Sequence, residues 1–175
     1  MKRVSLGKWV GTLLAAAGLV GCSTITPYTA DFARKSPQFG AITKADAVQI
    51  IKSQAGVSGE IADYGSFIVD EDGFSFKKTT EEERTEWKKG EPVKIKSTIT
   101  TSQNVSWNSI AGMTPYMEEY KAPFHHIRYR VRLDYETITV KDSSRVKEKE
   151  NVILNCKTEE VLADVVAALK TLTDL

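Results

Sequence analysis

Arg128, Arg130 and Arg132 occupy alternate positions and are the residues best placed for chemistry with an anion. On an extended strand they stand on one face about 7 Å apart. Guanidinium groups so spaced can grip phosphate or carboxylate oxygens. The same row can equally be a solvated face paired with acids of a neighbouring strand, for which Asp134, Glu136 and the Glu118-Glu119 pair are available. His125-His126 raises the question of a metal, but neighbours on a strand point to opposite faces. No set of His, Cys, Asp and Glu has the spacing of a zinc site, so neither metal nor cofactor is expected. Two histidines leave a Ser-His-Asp arrangement open by count, although the chain has no G-x-S-x-G elbow, no G-x-G-x-x-G and no P-loop. In Gly112-Met113-Thr114-Pro115-Tyr116-Met117 two methionines and Tyr116 fall in an expected loop. That loop is either an adaptable apolar contact for a partner or a segment folded back on the core. Trp87, inside a charged stretch, carries the same ambiguity.

The elements that position these residues follow from their periodicity. Thr43 to Ala55 reads as a helix, with Thr43 as cap, Asp46 in the first turn, Ala47, Val48, Ile51 and Ala55 on one face, and Gly56 as terminator. Residues 60–69 and 74–78 read as a hairpin around Asp70-Glu71-Asp72-Gly73. Thr79 to Glu91 is highly charged and reads as a mobile connection. From Pro92, Val93, Ile95 and Ile99 alternate with polar residues, Val105 and Trp107 continue the face, and a bend is expected near residues 101–104. Ile127 to Tyr135 is the clearest strand: Ile127, Tyr129, Val131, Leu133 and Tyr135 on one side, the arginines and Asp134 on the other. Ile138 to Val140 and Val152 to Leu154 add strands around a charged loop at residues 142–150. Thr158 caps a final helix whose apolar face is Val161, Leu162, Val165, Val166, Leu169 and Leu172. The sum is an α+β domain of about seven short antiparallel strands, a sheet or partly open barrel plugged by a C-terminal amphipathic helix, with an extra N-terminal helix.

The first 22 residues belong to a different problem. Lys2, Arg3 and Lys8 precede an apolar run, Trp9 to Val20, too short to span a bilayer. A basic start, a short apolar centre and small residues at a cut site make a secretory signal. Its ending, Leu19-Val20-Gly21-Cys22, resembles the lipobox of bacterial lipoproteins. That resemblance implies cleavage after residue 21, a diacylglycerol on the Cys22 sulfur and usually a further acyl chain. More than one chain is needed for stable anchoring. Ser23, where an aspartate would imply inner-membrane retention, leans the expectation to the outer membrane, facing the periplasm. Three basic residues leave with the signal, so 24 basic residues become 21 against 23 acidic ones. No basic excess points to nucleic acid. Cys156, the other cysteine, then has no intramolecular partner and is expected to be buried in a strand. Residues 22–42, rich in Ser, Thr, Pro and Ala, read as a flexible tether of at most roughly 65 Å at about 3.3 Å per residue, leaving 43–175 as a single domain.

Within that domain, Phe67-x-x-Asp70-x-Asp72-Gly73-Phe74-x-Phe76, Trp107-Asn108-Ser109-Ile110-Ala111-Gly112, Tyr129 to Leu133 and Thr158 to Leu172 together resemble bacterial PH-like and GRAM-like domains over roughly residues 60–173. The resemblance implies a binding or scaffolding module for lipids, peptides or proteins. The expected function is therefore a lipid-anchored, non-catalytic binding or assembly protein of the cell envelope. Its partner would be an envelope protein or anionic lipid headgroups, with Arg128, Arg130, Arg132, Trp87 and Tyr116 as contact candidates. The alternatives are an envelope hydrolase or transferase with a dispersed site near His125 and His126, and a purely structural lipoprotein.

Overall fold

The computed structural model describes residues 23–58, 63–121, 124–141, 144–173 and 175. Cys22 and the expected export signal lie outside them, as do residues 60–62 of the first expected strand. The described chain is α+β, with eight strands in two antiparallel sheets. The first sheet holds β1 (Ser23–Pro27), β6 (Ile110–Tyr120), β7 (His126–Lys141), β8 (Ser144–Cys156) and β2 (Gly56–Ser58), in the order β1-β6-β7-β8-β2. The second is the meander β3 (Asp63–Val69), β4 (Gly73–Lys88) and β5 (Glu91–Ser106). Helices α1 (Lys44–Gln54) and α2 (Glu159–Leu172) pack on each other, and α2 lies against β7 and β8.

The sheets do not close into a barrel. Closure would need β5 to pair with β6, but both edges of β6 are taken, one by β1 and the other by β7. A short 3-10 turn, Trp107–Ser109, carries the chain from one sheet to the other. It is pinned by Trp107, whose backbone N–H donates to Asp72 O (3.1 Å) and whose Nε1 donates to Asp70 O (3.0 Å).

Both helices start where the sequence puts their caps. The Thr43 and Thr158 hydroxyls accept the Asp46 and Val161 amides. Helix α1 ends differently from expectation: Ala55 is already extended and Gly56 opens β2 instead of turning back. The core joins Val48 and Ile51 of α1, Phe74 and Phe76 of β4, Trp107, the Val131, Leu133 and Tyr135 face of β7, Val152 and Leu154 of β8, and α2.

Three segments depart from the sequence reading. Of residues 79–91, expected as a mobile connection, 79–88 are the outer half of β4, 89–90 are the turn and Glu91 opens β5. Strand β4 pairs with β5 without interruption from Gly73↔Ser106 to Lys88↔Glu91, and the bend expected in β5 is absent. The hairpin closes at Lys89-Gly90, both at positive φ (54° and 85°), a two-residue turn whose twist matches the strands. Beyond the core both faces of such a ribbon meet water, so apolar alternation, the usual strand signal, is not required there. For the same reason residues 144–150, expected as loop, continue β8 down to the Lys141↔Ser144 pair.

The third departure is the expected tether. Residues 23–27 are β1, paired with β6 from Ser23↔Tyr120 to Pro27↔Tyr116. Ala30–Lys35 is a 3-10 helix that buries Phe32 and Ala33. Polar clips fix it to α2: Lys35 Nζ to Glu159 (2.6 Å), Ser36 Oγ to Asp164 (2.6 Å) and Lys170 Nζ to Ala30 O (3.1 Å).

The β3–β4 turn demands a glycine. Asp70 Oδ1 accepts the amides of Asp72 and Gly73, and a Cβ on Gly73 would stand 2.1 Å from the Val105 carbonyl oxygen. The obstacle is paired backbone in the core. Gly73→Ala is expected to destabilise the fold by about 1–3 kcal/mol, the range for overpacking. Urea unfolding of the Cys22→Ser chain, with and without the glycine change, measures it; coincident midpoints would show that the turn yields freely.

Candidate binding surface

The arginine row is built by the β6–β7 hairpin. Val131, Leu133 and Tyr135 turn to the core, so Arg128, Arg130 and Arg132 turn to the opposite face of the sheet. There they meet the β6 residues in register with them, Glu118, Tyr116 and Thr114. The three arginines end in three different environments. Arg130 is 3% exposed and belongs to a closed polar cluster. Its Nη1 donates to Glu118 Oε2 at 2.5 Å, its Nε to Asn155 Oδ1 at 3.0 Å, and it also hydrogen-bonds the Tyr116 side chain. Burial alone would weaken its charge, but Glu118 and Tyr116 outweigh burial and raise its pKa above the usual guanidinium value. Arg132 is exposed and holds Asp134 two residues along its own strand, 3.1 Å away. Arg128 is exposed and lies over the Tyr120 ring at 4.9 Å, a cation–π contact.

Tyr120 links these groups. Its hydroxyl donates to Glu118 Oε1 at 2.7 Å, and its ring stacks on His126 with centroids 4.4 Å apart. The hydrogen bond to Glu118 raises the Tyr120 pKa, with burial adding to it. The histidines do not converge. His126 Nδ1 lies 3.1 Å from Phe124 O, while His125 Nε2 lies 2.9 Å from Glu119 Oε1. Among the described residues no group of three or more His, Cys, Asp or Glu is placed to hold a metal.

Residues 112–117 are not a loop. They form the middle of β6, and Tyr116 is buried against Arg130, so it is not available for outside contact. Trp87 is the reverse case. It is 74% exposed and sits opposite Pro92 beside the tip of the β4–β5 hairpin. Cys156 is buried at the end of β8, and burial pushes its thiol pKa up to about 12.

Several partners were hidden from a strand-by-strand reading. Glu118 was an available partner by sequence, but Tyr120 and Asn155 join the arginine cluster only through the registers Tyr120↔His126 and Asn155↔Arg130. Phe124, 79% exposed just before β7, went unnoticed. Its signal was a bulky apolar residue in the short connection leading into the clearest strand. An open groove of about 530 Å³ lies elsewhere, between α1 and the preceding turn, lined by Pro37, Ile42, Asp46 and Ile50 among others. No family model matches the chain, and no curated protein or solved structure matches it either.

Two outcomes follow. Removing one member of a buried ion pair strands the other, at about 3–5 kcal/mol. Arg130→Met and Glu118→Leu are each expected to destabilise strongly, and the double variant by clearly less than their sum. A urea double-mutant cycle with strictly additive losses would contradict a coupled pair. For Cys156, native Cys22→Ser protein at pH 8 should resist Ellman's reagent and react fully in urea. The raised thiol pKa favours the neutral form in the fold. Its stability contribution is therefore intact below about 9, the ordinary thiol value, and is lost as pH climbs toward about 12. Rapid native modification at pH 8 would refute the burial.

Proposed function

We propose that this chain is a lipid-anchored lipoprotein of the cell envelope, held by acylated Cys22 in the outer membrane and facing the periplasm. Its PH-like domain serves as a non-catalytic binding or assembly module. One observation carries the reading: a lipobox-like Leu19-Val20-Gly21-Cys22 closes a signal-like segment directly before Ser23, which is already paired in β1. Cleavage before Cys22 would keep β1 and every later element in the mature chain.

A three-stranded meander, a second meander β6–β7–β8 and a terminal helix packed on the latter support the PH-like reading. Strands β1 and β2 on the edges of the five-stranded sheet, and helix α1, are additions to that pattern. For a binding role, the outer β4–β5 hairpin offers Trp87, Val93 and Ile99, all exposed. Of the arginines, Arg128 is the one suited to outside contact, because Arg130 is enclosed and Arg132 holds Asp134.

Radioactive palmitate fed to cells making the wild type or Cys22→Ser tests the anchor. Label is expected in the wild type alone, with the variant moving to the soluble periplasmic fraction. Equal labelling of both would overturn the reading.

A further inference from the structure

We infer that the end of the fold carrying Ser23, Lys121, Phe124 and Arg128 rests on the bilayer, with Phe124 inserted at the interface. This rests on the anchor reading above and adds an orientation that the anchor alone does not supply. Ser23 pairs with Tyr120, and Tyr120 with His126. Adjacent strands are about 4.8 Å apart, so these three residues lie side by side within about 10 Å. Cys22 is the next residue, at most about 3.8 Å from Ser23 between Cα atoms. Because β1 starts at Ser23 and the following chain is clipped to α2, no slack lies between the acylated residue and the sheet. Whatever surrounds Ser23 must therefore stand at the headgroups.

What surrounds it suits that position. Phe124 is 79% exposed, and Ile25 and Ile127, also exposed, lie one or two residues farther in. Lys121 and Arg128 are exposed cations at the same end, suited to anionic headgroups. Of the acids nearby, Glu118 is enclosed with Arg130 and Glu119 faces His125. Phe is among the side chains that interfacial surfaces bury at the headgroup–acyl boundary, with cations beside them. The opposite end of β7, at Val140↔Arg145, lies fourteen residues on, roughly 45 Å along the strand at about 3.3 Å per residue.

The test uses full-length protein purified from membranes and reconstituted in phosphatidylethanolamine–phosphatidylglycerol vesicles. An environment-sensitive fluorophore is placed at Phe124→Cys, at Ile25→Cys or at the distal Arg145→Cys, and quenching by a lipid-borne nitroxide is read. Mass spectrometry of the N-terminal peptide reports the lipid on Cys22 in each sample. The expected result is quenching at positions 124 and 25 several-fold above that at 145. If Cys22 carries its lipid but all three positions are quenched alike, the orientation is overturned and the anchor stands. If Cys22 carries no lipid, the anchor reading is overturned and the orientation falls with it.

Discussion

The breadth of the apolar surface on α2 governs the rest of the fold. Leu162, Ala163, Val165, Val166, Ala167, Ala168, Leu169 and Leu172 are all buried. At about 100° per residue these positions sweep roughly 260° of the helix, far more than the stripe of about 100° that one sheet face covers. A helix so apolar needs cover on two sides. Strands β7 and β8 supply one side, and α1 with the 3-10 helix of residues 30–35 supplies the other. The N-terminal segment is thereby committed to the domain: if residues 28–36 were to swing free, Phe32 and Ala33 would be exposed and part of α2 uncovered.

The second constraint is the length of the hairpins. Strands β4, β5 and β7 each run 16 residues, well beyond what α2 can cover. Outside the core the ribbons rely on backbone pairing, tight turns and cross-strand charges such as Lys94 with Glu83 and Lys147 with Glu136. Such exposed pairs contribute little individually, but they also discourage edge-to-edge association along the open flank of β5. Val93 and Ile99 on that flank are exceptions, and with Trp87 they are the part of the ribbon that water accommodates worst.

Legibility in the sequence followed burial. The helices, their threonine caps, the β3–β4 turn and the inward face of β7 from Tyr129 to Tyr135 were readable, because each couples a local pattern to one buried side, whereas Ile127, read onto that face, is exposed. The alanines of α2 were the missed signal. Counting Ala163, Ala167 and Ala168 with the larger residues widens the apolar arc past a single face and forces a second covering layer, which contradicts a free tether at residues 23–42. The outer halves of β4 and β8 carried no comparable signal, since a ribbon wet on both faces tolerates Thr, Glu, Lys and Arg in any order. The fate of the arginines was half readable. Alternation placed them on one face, but only the pairing register decides that Arg130 meets Glu118 and Asn155 while Arg128 meets Tyr120. Burying a charge requires several partners at once, and those partners come from β6 and β8 together.

Loss of the tether changes how an anchored domain would act. A long flexible linker lets a module search a volume and engage partners at many heights. A sheet that starts one residue after an acylated cysteine has a fixed posture instead. The enclosed Arg130–Glu118 pair stiffens the same end, since it joins β6 to β7 with Glu118 two residues along from the Ser23↔Tyr120 pair. With Cys22 as the anchor, the paired strands β7 and β8 would project their distal end at a set distance from the headgroups. A partner reaching it would have to be large, or itself fixed at a matching height. That geometry suits an assembly role, in which spacing is the information conveyed, better than capture of a freely diffusing small ligand.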